Sequence, residues 1–165
     1  MKNLKEREEV IEYSIKLNTT NLSPLRSGNI SVRGIEDGIE GFFITPSGKK
    51  YENLKLEDIV FLSLTEEKDF LSWFNSGKNP SSEWRFHQDI YKNKWEAKAI
   101  VHAHSPHATA VSTHGKSIPP FHYMIALAGG EDIRCSEYAT FGTHELSMNM
   151  IKALKDRKAC LMANH

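Results

Sequence analysis

Three short runs rich in β-branched and aromatic residues follow one another closely: NISVR (29–33), GFFIT (41–45) and DIVFLSL (58–64). The segments between them, GIEDGIE and PSGKKYENLKLE, carry Gly, Pro and charge. Runs of this kind, bounded by turn residues, read as a meander of antiparallel strands. The rest of the chain supplies helices to cover it. Leu4, Val10, Ile11, Ser14 and Leu17 recur near a 3.6-residue period and predict a helix over 4–22. Pro24 and Gly28 in NLSPLRSGN break that pattern. NSGKNPSSEWRFHQDIYKNK reads as a loop feeding a helix, with Ser81 or Ser82 as N-cap and Glu83 in the first turn. AKAIVHAH is a predicted strand, and SPHATAVSTHG a short helix opened by Pro106. FGTHELSMNMIKALKDRK is a helix with Thr143 as N-cap and Leu146, Met150 and Leu154 as its apolar stripe. ACLMANH is a strand that runs into the last residue. At 165 residues the chain has room for one sizeable core. The expected fold class is α/β: a single-domain sandwich, residues 1–165, with a central, mostly antiparallel sheet flanked by helices.

Charge narrows the partners. Lys+Arg and Asp+Glu balance at 21 each, so no global field invites nucleic acid or an acidic membrane. No apolar run approaches the ~20 residues of a membrane span. The N-terminal MKNLKEREEVIEY is charged throughout and lacks a signal-peptide core. Cys135 and Cys160 form no CxxC pair and fit a reducing compartment as small apolar fillers. The expected location is cytoplasmic, with no nucleic acid and no membrane as partner.

AIVHAHSPHATAV places His102, His104 and His107 within six positions. On a strand, residues i and i+2 share a face, so His102 and His104 aim at one point. Two neutral imidazoles suit Zn²⁺. A third ligand must come from elsewhere, and His165 or Glu83 could serve. His87, His107, His114, His122 and His144 are scattered, most of them where a helix or loop faces solvent.

Three segments look like anion cradles. In SGN, Gly28 allows close backbone approach and Asn29 offers an amide donor. TPSGK turns at Ser47 and Gly48. PSSE brings Ser81 and Ser82 to a helix N-terminus, where the helix dipole favours an anion. Each alone is more often a plain turn or cap; three beside a metal candidate are less ordinary.

SGNIS, ITPSG, PSSEWRFH, VHAHSPHATAVS, IPPFHYMIALAGG, YATFGTHELS and a terminal NH, in that order, resemble the class II aldolase/adducin family, and within it the branch acting on L-fuculose 1-phosphate. The resemblance runs from about residue 20 to 165. It implies an α/β sandwich assembled as a homotetramer with active sites between subunits, and one Zn²⁺ per subunit. It implies His102, His104 and His165 as metal ligands. Glu83 would ligate the empty metal and become a base when substrate arrives. Tyr123 would act across the subunit interface. Gly28, Asn29, Ser47, Gly48, Ser81 and Ser82 would hold the substrate phosphate.

The implied reaction is reversible cleavage of a ketose 1-phosphate, such as L-fuculose 1-phosphate, to dihydroxyacetone phosphate and an aldehyde. Metal-bound oxygens at C2 and C3 would stabilise the enediolate, Glu83 would move the proton at carbon, and Tyr123 the proton at the aldehyde oxygen. Siblings on the same scaffold, a pentulose-phosphate 4-epimerase or a methylthioribulose-phosphate dehydratase, share these metal and phosphate residues. An adducin-like binding module is expected to lack the metal ligands, and here all are present. In the family the chain continues past the third histidine, so ending at His165 suggests a truncated form.

Overall fold

The computed structural model describes residues 2–66 and 70–165. Within them the chain forms two compact units, one running to His104 and one from Ser105 to His165.

The first unit holds the expected meander. Strands β1 (Asn29–Glu36), β2 (Ile39–Ile44) and β3 (Val60–Ser63) are joined by β4 (Ala99–His102) in the order β3-β2-β1-β4. Every neighbouring pair is antiparallel. The β1–β2 hairpin turns through Asp37 and Gly38, both at positive φ (51° and 80°), which matches the right-handed twist of the strands. Asn29 pairs with His102 across β1 and β4.

Phe42, Phe43 and Ile44 on β2 are all fully buried. Successive strand residues point to opposite faces, so both faces of the sheet must be covered. Phe42 and Ile44 pack with Leu62, Trp84 and Tyr91. Phe43 packs with Val10, Ile59 and Phe61. The first face is covered by α3 (Trp84–Asn93), the second by α1 (Leu4–Thr19). Helix α1 stops short of residue 22 because Thr20 closes on the carbonyl of Lys16 and Asn21 enters the left-handed region. A short helix α2 (Phe70–Asn75), absent from the sequence reading, inserts Trp73 edge-on to Trp84 with ring centroids 5.9 Å apart. Arg33 on β1 ties the sheet to the end of α3: its guanidinium donates to the carbonyls of Tyr91 (2.7 Å), Lys94 (3.1 Å) and Ala97 (2.9 Å). Those carbonyls lie at or just past the negative end of the helix.

In the second unit, α4 (Pro106–Ser112) is capped by Ser105, whose Oγ accepts from the Ala108 amide. A 3-10 turn, Tyr123–Ala128, follows. Strand β5 (Arg134–Ser136) pairs in parallel with β6 (Cys160–Met162). Between them lies α5 (His144–Ala153), capped by Thr143, with Leu146, Met150 and the following Leu154 buried as the periodicity predicts. β5 went unread in the sequence, and the β5–β6 pair is a parallel addition to an otherwise antiparallel architecture. Among the described residues no helix is long and apolar enough to cross a membrane.

Candidate active site

The three anion-cradle segments meet in the first unit. Gly28, Asn29, Ser47, Gly48, Ser81 and Ser82 all line one cavity of about 270 Å³. The β1 start and β2 end are joined by Thr45, whose amide donates to the Ile30 carbonyl and whose Oγ1 accepts from the Ile30 amide. The loop before α3 is stitched to the end of β2: Ser81 N–H donates to Thr45 O at 2.9 Å, and Ser47 N–H to Asn79 O at 3.0 Å. Gly28 N–H donates to Ser23 Oγ at 2.6 Å, and the Tyr51 hydroxyl donates to the Gly28 carbonyl. Burial pushes the Tyr51 phenol up to about 12, against the opposing pull of Arg26, so it stays a donor. Arg26 and Lys49 bring positive charge to the same lining, and Lys49 is ion-paired with Asp58. Neither cation, nor Thr45 or Tyr51, was singled out from the sequence; Thr45 stands in the ITPSG motif itself and could have been.

Glu83 does not sit in the first turn of α3. It occupies the N-cap position, with φ −102° and ψ 14°, and its amide donates to Ser81 Oγ at 3.3 Å. This turns the buried carboxylate toward the end of β4, where Oε2 lies 3.2 Å from His102 Nε2. His104 lies two residues past the end of β4, held by its own amide to the Leu22 carbonyl. The two imidazoles still converge, Nε2 to Nε2 at 2.9 Å, with rings near perpendicular. Two facing ring nitrogens can share only one proton, whereas a divalent ion gives each lone pair a partner. With a carboxylate oxygen on the same side, the donor set is the N,O mixture that Zn²⁺ and similar ions accept.

His87 is a correction to the expected solvent-facing placement. It is fully buried, between Asn29 and Ser31. Burial, reinforced by nearby His102, pushes its pKa down to about 3, so it is neutral. Nothing in the sequence spacing singles it out, because its partners lie 56 and 58 residues away. His107, His114, His122 and His144 are exposed as expected. In the second unit, Tyr123 is 81% exposed at the start of the 3-10 turn. His165 follows β6 as the last residue.

The model of the class II aldolase and adducin N-terminal domain matches residues 8–165. The chain is 44% identical to an L-fuculose phosphate aldolase of Escherichia coli, over all of this chain and 72% of that protein. It is 43% identical to a 5-methylthioribulose-1-phosphate/5-deoxyribulose-1-phosphate aldolase of Rhodospirillum rubrum, over 96% of this chain and 67% of that one. A solved L-fuculose 1-phosphate aldolase superposes with a TM-score of 0.85 at 37% identity, covering all of this chain and 74% of its own.

Proposed function

The chain belongs to the class II aldolase and adducin family, and from that premise we infer that it is a metal-dependent aldolase cleaving a ketose 1-phosphate to dihydroxyacetone phosphate and an aldehyde. One observation carries the reading: a donor-lined cavity opens beside a buried carboxylate that faces the His102 imidazole, itself paired with His104. His102, His104 and His165, with Glu83, would hold one Zn²⁺. When bound, the ion supplies Lewis-acid polarisation and a counter-charge for the anion that carbon–carbon cleavage leaves.

This chain's own residues do the rest. The three loops that carry Gly28, Asn29, Ser47, Gly48, Ser81 and Ser82, with Arg26, bind the phosphate and fix the reacting carbons. In cleavage the C3–C4 electron pair stays on C3 and the C4 hydroxyl loses its proton. The Tyr123 hydroxyl, reaching the site from an adjacent subunit, takes that proton as it passes its own on. Glu83, once protonated, delivers one to C3 and removes it in the synthetic direction, so that the net transfer is one proton from the C4 oxygen to C3. The exposed Phe121, Tyr123 and Leu127 support a homo-oligomer, read as a tetramer, because apolar patches of this kind mark contacts. Residues 1–165 are read as one functional domain of the family type. The free cysteines and the sugar-phosphate chemistry of the relatives support a cytoplasmic setting.

The test is a cleavage assay on L-fuculose 1-phosphate, 5-deoxyribulose 1-phosphate and 5-methylthioribulose 1-phosphate, reading dihydroxyacetone phosphate, with and without a chelator. Both relatives' substrates belong in the panel because the identities, 44% and 43%, are nearly equal. Chelator-sensitive release from at least one supports the reading; release from none by fully metal-loaded protein overturns it.

A further inference from the structure

Behind the cavity the buried polar groups form one line. Tyr91 OH lies 2.9 Å from Ser31 Oγ, and Ser31 Oγ lies 2.7 Å from His87 Nδ1. His87 Nε2 lies 2.5 Å from Asn29 Oδ1, and Asn29 Nδ2 donates to Glu83 Oε2 at 2.9 Å. All five residues are at least 94% buried, so a hydrogen bond lost within the line is not replaced by bulk water.

The protons follow from the Glu83 end. Asn29 turns its NH₂ group toward the carboxylate, since it is Nδ2 that donates to Glu83 Oε2. That leaves Oδ1 for His87, and a carbonyl oxygen only accepts. His87 must therefore carry its proton on Nε2. A neutral imidazole has a single N–H, so Nδ1 is an acceptor and the Ser31 hydroxyl donates to it. Ser31 is then left to accept from the Tyr91 hydroxyl. Burial of His87 keeps it neutral and removes the alternative in which both nitrogens donate.

We propose that His87 is a positioning residue of the aldol reaction: fixed as the Nε2–H tautomer, it locks the Asn29 amide so that its NH₂, not its oxygen, faces Glu83 and the anion-binding cavity. A flipped amide would set Oδ1 against the Glu83 carboxylate, acceptor against acceptor. It would also present a carbonyl oxygen where the substrate brings negative charge. A residue that never touches substrate thus decides whether the cavity offers a donor, and holds the proton-transferring carboxylate at the same time. Partners that orient ligating groups in this way typically contribute about 10–100-fold to activity or affinity.

The kinetic consequence rests on the aldolase reading; the direction of the hydrogen bonds does not. The first experiment is therefore spectroscopic: nitrogen NMR of the full chain labelled with ¹⁵N-histidine, at pH 7. The expected result is one slowly exchanging imidazole with a protonated Nε2 and a bare Nδ1, missing from His87→Gln. A protonated Nδ1 at that residue overturns the proposal. The second experiment compares His87→Phe and His87→Gln in the cleavage assay, with melting temperature as the control for folding. Folded His87→Phe should lose about tenfold or more in kcat/KM. His87→Gln should recover most of it, since its amide can donate to Asn29 and accept from Ser31. Wild-type kcat/KM in folded His87→Phe would reduce His87 to a packing residue and overturn the proposal. A wild-type chain that cleaves no ketose 1-phosphate would overturn the aldolase reading and the kinetic part with it, leaving the spectrum to decide the hydrogen-bond direction.

Discussion

Replacing Gly28 by alanine puts a methyl group just ahead of β1, against the end of β4. An added Cβ would overlap the backbone carbonyl oxygen of His102 and stand 2.8 Å from Ser23 Oγ. Ser23 can rotate only by giving up the bond it accepts from the Gly28 amide. The His102 carbonyl belongs to a strand and cannot rotate away. Overpacking of this kind costs about 1–3 kcal/mol. At about 2–4 °C per kcal/mol for a chain of this size, the melting temperature should fall by about 2–12 °C. The local consequence is larger than the global one. Asn29, which faces Glu83, is paired directly with His102, so prising the strands apart separates the carboxylate from the imidazoles. Gly48→Ala is the matched control on the same cavity. Its Cβ would meet open space, but its φ of +74° is strained for alanine, at about 1–2 kcal/mol. Both variants should lose stability by scanning calorimetry, yet only Gly28→Ala should also lose bound metal by elemental analysis. Wild-type metal content and melting temperature in Gly28→Ala would refute the close approach of β1 to β4 on which the site is built.

Other outcomes follow from the same geometry. Asn29→Ala should lower kcat as well as raise KM in steady-state assays, because its amide serves Glu83 and not the cavity alone. Arg26→Ala should raise KM for a phosphorylated substrate about tenfold with kcat nearly unchanged, the signature of a lost charge-assisted contact in binding alone. Stability should fall as pH drops from about 6.5 toward 3 in urea titrations. Folded His87 has a pKa of about 3, below its unfolded value, so the unfolded chain binds the extra proton throughout that window. The slope from this residue is at most about 1.4 kcal/mol per pH unit, and His87→Phe should remove it.

The parts legible in the sequence were those with local causes. The meander is written in alternating β-rich runs and in the Asp37–Gly38 turn. Helix α5 is written in Thr143 and the spacing of Leu146, Met150 and Leu154. The pairing of His102 with His104 follows from two residues' separation, and it survives although β4 stops at His102. What escaped has non-local causes. β5 is three residues long and exists because it pairs with β6 across a gap of 23 residues. Glu83 was expected in the first turn of its helix, since Ser81 or Ser82 ahead of it is the better N-cap by propensity. The stitching of Ser81 to Thr45 decides otherwise. His87 looked like any other histidine because burial is set by the sheet beneath it.

The central claim is that Glu83 moves a proton at the carbon of dihydroxyacetone phosphate, and proton exchange at that carbon tests it without any aldehyde. Wild-type protein and Glu83→Gln, both fully loaded with zinc, should be given dihydroxyacetone phosphate tritiated at C3 and followed for release of label into water. The amide can lie where the carboxylate lay but cannot accept the proton, so exchange should fall by the ~10²–10⁴-fold of a lost general base. Equal exchange by the two proteins would contradict the assignment and move the base to another residue.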